Sequence, residues 1–277
     1  MKIAYEEKNT LLCVDNLHIR FAEDKILEGV RLEIKDVVQK DHTRGQIQSI
    51  LGPSGVGKTI LLRAISGLLQ ADSGKVQIAL DGKTLYPVRP GLVGVVWQNY
   101  PLFDHLTVWE NLLLASGVTR LSKQEAQKKA QDLLERFDLE ERKDFWPSQL
   151  SGGQRQRVAI LQQIMVQNLF LIMDEPFSGL DPSALNEVLQ LIRELADSDE
   201  LQTILLVTHD IRAALRISDY IHILGRDIDD KGVVKRAGHF MESINLLEKG
   251  IAWQEDPRNL AEFHQLLSEI EDKFEGI

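Results

Sequence analysis

The chain has 277 residues, 43% hydrophobic and 27% charged, with a formal net charge of −10. That size fits one large globular unit with room for an inserted subdomain, and the acidic balance argues against general binding to nucleic-acid backbones, which needs clustered Lys and Arg. A lone Cys13 closes no internal disulfide and suits a reducing compartment. The first ten residues lack a signal-peptide core and no apolar run approaches the ~20 residues of a spanning helix, so a soluble chain is expected, meeting any membrane through a partner.

Residues 11–21 and 30–34 alternate apolar and polar side chains and predict strands. The stretch 36–44 is polar and aperiodic and predicts a loop. An apolar run at 47–51 reads as a buried strand and ends in glycines; 59–69 then carry helical spacing, closed by turn residues at 72–74. Strand, glycine loop and helix are the opening unit of a parallel α/β sheet. Residues 93–97 predict a further strand. From about 101 to 164 the pattern is helical, with Ala126, Ala130, Leu133, Leu134 and Phe137 along one apolar stripe. Apolar strands at 169–173 and 203–207 flank a helix over 184–196. Beyond about 224 the signal weakens to a hairpin, then an acidic amphipathic helix with Leu260, Phe263, Leu267, Ile270 and Phe274.

Three motifs carry chemistry. Gly52, Pro53, Ser54, Gly55, Val56, Gly57, Lys58 and Thr59 match G-x-x-x-x-G-K-[ST] between a predicted strand and a predicted helix. Glycines let backbone amides close around phosphate oxygens, and the helix N-terminus adds its dipole. Lys58 then suits the β- and γ-phosphates and Thr59 a Mg2+ ion. Second, the apolar strand at 169–173 delivers Asp174 and Glu175 at its C-terminal end, where open α/β sheets bind ligands. Asp174 suits the Mg2+ shell and Glu175 a general base on the attacking water. Third, Leu150, Ser151, Gly152, Gly153 and Gln154 precede a helical pattern, so Ser151 is a candidate N-cap and the glycines expose amides to a second anion.

This combination, in this order over about residues 11–224, resembles the ATP-binding subunit of ABC transporters. The resemblance implies an α/β fold: a P-loop NTPase (RecA-like) core with an antiparallel β-subdomain and an inserted α-helical subdomain at about 99–164. It implies ATP and Mg2+ as the bound groups. In that family LSGGQ contacts the γ-phosphate held by the other subunit, so Ser151 to Gln154 are expected to face a second copy. Phe21 resembles the aromatic that stacks on adenine, although alone it reads as a strand core residue. Gln98 resembles the glutamine that touches metal and water and links to the insert. Asp181, within Ser178-Gly179-Leu180-Asp181, resembles the loop that crosses the dimer interface and reads equally as a helix N-cap. His209 resembles the histidine that contacts the γ-phosphate and orients Glu175. Ile60 departs from the family, which often places a hydroxyl there; Asn168 replaces a frequent proline; 36–44 looks like an insertion; and 225–277 matches no family pattern.

The implied function is ATP hydrolysis coupled to substrate movement through a separate polytopic membrane permease, in the direction of import. Residues 99–111 resemble the segment of importer subunits that meets the membrane partner. Implied partners are that permease, a second copy or a paralogous twin and, for an importer, an extracytoplasmic substrate-binding protein, with no nucleic acid. The implied location is the cytoplasmic face of the cell membrane, peripherally bound. The alternative is a soluble ABC-family ATPase or scaffold for repair, translation or cluster assembly; the single motif set and the short insert favour transport.

Overall fold

The computed structural model describes residues 5–39, 45–198, 203–229 and 233–275. Its first two strands, β1 (Tyr5–Phe21) and β2 (Asp24–Gln39), form a long antiparallel hairpin closed at the Phe21–Asp24 pair. Ala22 in the two-residue turn has φ 51°, the left-handed backbone such a turn demands. Alternation in β1 buries Leu12, Val14, Leu17 and Ile19. The loop expected from 36 is corrected: β2 runs on to Gln39 because Glu6 and Glu7 of β1 pair with Val38 and Val37. Residues 40–44 lie outside the described residues. Two strands that the sequence does not announce, β4 (Ser73–Ala79) and β5 (Leu85–Pro87), extend this antiparallel part of the sheet outward from β1.

β3 (Gln46–Leu51) is buried throughout and leads into α1 (Lys58–Ile65). That helix is shorter than the 59–69 expected. Gly67 has φ 75°, and a Cβ there would lie 2.7 Å from the Arg89 carbonyl carbon, so the chain leaves the helix at a close backbone crossing. Then come β6 (Gly94–Val96), α2 (Val108–Ser116), α3 (Lys123–Arg136) and α4 (Gly152–Met165). Residues 101–107 are not helical as expected. The buried Asn111 amide holds them as a loop, bonding Phe103 N and O, Leu106 O and Thr107 O. Each insert helix opens on a reciprocal cap, Thr107 with Glu110, Ser122 with Glu125 and Ser151 with Gln154. The apolar stripe of α3 is buried against α2 and α4 as its spacing predicts.

The chain continues as β7 (Phe170–Asp174), α5 (Pro182–Ala196), β8 (Thr203–Thr208), α6 (Ile211–Ile217), β9 (Tyr220–Ile228), β10 (Val234–Asn245) and α7 (Ala261–Glu275). One sheet has the order β5-β4-β1-β2-β10-β9-β3-β8-β7-β6. Its half from β9 to β6 is parallel, which gives the mixed α/β, P-loop NTPase architecture. No helix among the described residues is long and apolar enough to cross a membrane.

Candidate functional site

Register brings the motifs to one edge of the sheet. Leu51 pairs with Thr208, Asp174 with Val207, and Val96 with Met173. The loops that follow these parallel strands, with residues 52–57, 175, 209 and 98, therefore leave the sheet side by side at its carboxyl edge. In the first loop Gly55 and Gly57 take φ 82° and 111°, a backbone that disfavours any side chain. Val56 is buried among the core residues, Pro53, Ser54 and Gly55 are at least partly exposed, and Ile60 packs on the core behind the loop.

Lys58 is buried, its Nζ 2.8 Å from Gly52 O, 3.2 Å from Pro53 O and 3.4 Å from Glu175 Oε1. The Glu175 carboxylate also receives Thr208 Oγ1 at 3.0 Å and the His209 amide at 3.3 Å, and it meets His209 Nδ1 at 2.9 Å. Because a carboxylate oxygen accepts, Nδ1 carries the proton, which leaves Nε2 as the ring atom available to a ligand. Glu175 itself has φ 49°, a left-handed backbone costing on the order of 1–3 kcal/mol. The contacts of its carboxylate with Lys58, Thr208 and His209 offset that cost. The resulting group is a carboxylate fixed at a strand end.

Asp174 differs from its neighbour. Its carboxyl is buried, and Oδ1 has no protein hydrogen-bond partner among the described residues. Burial first, then the adjacent Glu175, pushes its pKa above the usual carboxylate range, against the pull of Lys58, Thr59 and Arg63. A buried carboxylate oxygen lacking a protein donor, with the Thr59 hydroxyl beside it, fits a hard divalent cation such as Mg2+. Among the described residues no group of three His, Cys, Asp or Glu side chains could hold a metal.

Gln98, in the turn after β6, donates to Ser178 Oγ at 3.2 Å, and Ser178 N donates to Glu175 O at 3.2 Å. Gln98, Thr59, Arg63, Trp97 and Asp174 line one open cleft of about 880 Å³. Asp181 caps α5, its Oδ1 accepting from Ser183 N at 2.8 Å and Ala184 N at 3.0 Å. Phe21 is 47% exposed at the β1–β2 turn and is not part of the strand core. The strand returning from it meets the loop: a Cβ on Gly57 would lie 3.0 Å from Leu27 Cδ2 and 3.3 Å from Ile26 Cγ2.

The third motif stands apart. Ser151 and Gln154 spend their hydrogen bonds on each other, at 3.0 and 3.3 Å, and none reaches residues 52–59. Ser151, Gly152 and Gly153 are exposed, with no atom within 4 Å of a Cβ built on either glycine. The N-terminus of α4 is thus uncovered and makes no hydrogen bond to the first loop. Thr208, which donates to Glu175, belongs to none of the motifs read from the sequence. Thr208 directly precedes His209, and a hydroxyl beside a candidate base is a signal that was open to reading.

A family profile described as "ABC transporter" matches residues 36–178, just over half of the chain. A "Sulfate/thiosulfate import ATP-binding protein cysA" of Cucumis sativus is 39% identical over 76% of this chain and 59% of its own. A "Spermidine/putrescine import ATP-binding protein PotA" of Thermotoga maritima is 35% identical over 88% of this chain and 66% of its own. The chain therefore spans less than two thirds of the length of either. Among solved structures, cbiO1 of Clostridium perfringens, part of the ABC transporter complex cbiONQ, superposes with a TM-score of 0.71 at 27% identity, covering 88% of this chain and 91% of that one.

Proposed function

The chain belongs to the ABC transporter family, and from that premise we propose that it is the ATP-hydrolysing subunit of a membrane importer, working as a closed pair. One observation carries the reading: Glu175 is held between Lys58, Thr208 and His209, next to an Asp174 whose Oδ1 has no protein partner. That is a base beside a carboxylate suited to a hard cation, both next to the phosphate loop.

In this reading the amides of residues 54–59 and the N-terminus of α1 receive the phosphates. Lys58 exchanges its bonds to Gly52 O and Pro53 O for phosphate oxygens. Phe21, exposed at the β1–β2 turn, offers a stacking face for the base. Thr59 and Asp174, with Gln98 in the same cleft, would hold a Mg2+ ion, which would supply neutralisation of phosphate charge there. Glu175 accepts the proton of the attacking water, and His209 fixes its carboxylate.

Neither the loop nor the exposed Ser151–Gln154 helix start encloses a triphosphate alone. Two copies related by a two-fold, or one copy with a paralogous twin, bring the two together twice, with Asp181 and its loop at the contact. ATP binds the closed pair better than the open one and so shifts the population toward closure, while hydrolysis releases it. The Gln98 turn and the loop before α2 carry that change to a polytopic permease, which places the chain peripherally at the cytoplasmic membrane face. An extracytoplasmic binding protein completes an importer. The relatives' names cover an anion and polyamines alike, so cargo is selected outside this subunit.

Glu175→Gln tests the assignment. It keeps the shape but removes the base, so turnover should fall about 10²–10⁴-fold, while ATP with Mg2+ should accumulate a dimer on a sizing column. Undiminished turnover, or a chain that stays monomeric at saturating ATP, would overturn it.

A further inference from the structure

β9 outlasts its neighbour. It pairs with β3 up to Ile223 opposite Leu51, and then β3 turns into the phosphate loop while β9 continues to Ile228. The overhang runs along the loop's outer side. A Cβ on Gly52 would lie 2.5 Å from the Leu224 carbonyl oxygen. Two residues on, the Arg226 guanidinium donates through Nη2 to the Gly55 carbonyl. β10 returns antiparallel, with His239 opposite Gly225, and sets Gly238 so close to the Val56 carbonyl that a methyl group there would overlap it. The hairpin therefore touches the loop at three successive points.

The middle contact has a chemical consequence. A peptide unit is planar and trans, so the carbonyl of Gly55 and the amide of Val56 point in opposite directions. Gly55, at φ 82° with open space where a Cβ would be, has little of its own to fix that plane. Arg226 pulls the carbonyl outward and so turns the Val56 N–H toward the inside of the loop, where an anion is received. The Val56 N–H has only a long bond to Pro53 O, 3.5 Å, to give up. A guanidinium at the carbonyl end also polarises the peptide in the sense that favours a phosphate at the amide end.

We propose that Arg226 is a positioning residue for the nucleotide's phosphates, acting through the Gly55–Val56 peptide without touching the ligand. The proposal rests on the ATP reading of residues 52–59. It predicts a split in kinetics: Arg226→Ala should raise the Kd and KM for ATP about tenfold, the order expected for losing a charge-assisted hydrogen bond at a partly exposed site, and change kcat at saturating ATP by less than about threefold. Arg226→Lys keeps a charged donor and should restore most of the affinity. Full-length wild type and both variants are compared by ATP titration, steady-state hydrolysis and thermal unfolding without nucleotide. Supporting results are a weakened Arg226→Ala, a rescued Arg226→Lys and unfolding temperatures unchanged among the three. An Arg226→Ala protein with wild-type affinity, or equal losses in both variants, overturns the assignment while leaving the ATP reading intact. A wild-type chain that binds no ATP sinks that reading, and this proposal with it.

Discussion

His222 lies one strand away from the phosphate loop, in β9 opposite Ile50, and is buried. Its Nε2 is 2.8 Å from Gln48 Oε1 and its Nδ1 2.8 Å from Ser243 Oγ. Gln48 passes the chain of bonds on to Gln46, whose amide donates to Lys35 O and Thr203 Oγ1. An amide oxygen only accepts, so Nε2 carries the proton and Nδ1 accepts the Ser243 hydroxyl. Burial lowers the His222 pKa from 6.5 to about 4, and the neutral ring is the folded form. The unfolded chain takes up a proton near 6.5 and the folded chain only near 4, so this residue's contribution is complete above 6.5 and is lost as pH falls between those values. The loss amounts to roughly 3 kcal/mol across the window. Urea unfolding of the wild type at pH 7 and pH 4.5 should show it, and His222→Gln, which does not titrate, should have a shallower pH dependence. Equal slopes for the two proteins would show that His222 is not the group responsible. The polar ladder was not legible in sequence, because nothing local marks Gln46, Gln48 or Ser243 as partners of His222; only the register of five strands, β2, β3, β8, β9 and β10, joins its members.

Helix starts carry a local signal, since a cap and the residue it bonds lie three positions apart, yet of the three in the insert only Ser151 was expected as a cap. The pairs Thr107 with Glu110, Ser122 with Glu125 and Ser151 with Gln154 all follow the S/T-x-x-E/Q spacing and all close reciprocally. The short edge strands were not legible. β5 has three residues, one of them Pro87, and β4 begins with three exposed residues, so neither offers enough alternation to stand out. α6 hides for a related reason: at seven residues it gives too few turns for a periodicity to register. The cap at Ser151 also serves a test. If residues 151–154 face phosphate on a second copy, Ser151→Arg should abolish turnover by filling that space, and each monomer should still bind ATP near the wild-type Kd. Ser151→Ala should only fray α4, at about 1 kcal/mol, and keep measurable hydrolysis. ATP titration beside steady-state hydrolysis distinguishes these, and an active Ser151→Arg protein would mean the helix start faces solvent throughout.

The candidate site and the far end of the chain depend on one sheet. Residues 52–59, 174–175 and 150–154 could be picked out because each motif is contiguous. Arg226 could not, since the carbonyl it holds is 171 positions away and no local pattern marks it. The stretch from 225 onward, which matched no pattern, is built into the same framework: β9 runs through positions 224 and 225, and α7 buries Phe263, Leu266, Leu267 and Ile270 against Leu215, Ile221, Ile223, Ile244 and Leu246. Ile221 and Ile223 belong to the strand paired directly with β3, so α7 braces from behind the strand that carries the phosphate loop. Burying four such side chains is worth about 1.5–3 kcal/mol each relative to leaving them in water, comparable in sum with the 5–15 kcal/mol by which whole domains are stable. A merely appended tail would contribute little to global stability. Ile270 is fully buried, and Ile270→Ala should lower the unfolding free energy by about 2–5 kcal/mol, moving the urea midpoint of the single main transition. A small early transition that leaves the main midpoint in place would instead mean that α7 unfolds on its own, and the hairpin behind the phosphate loop would then have to stand without it.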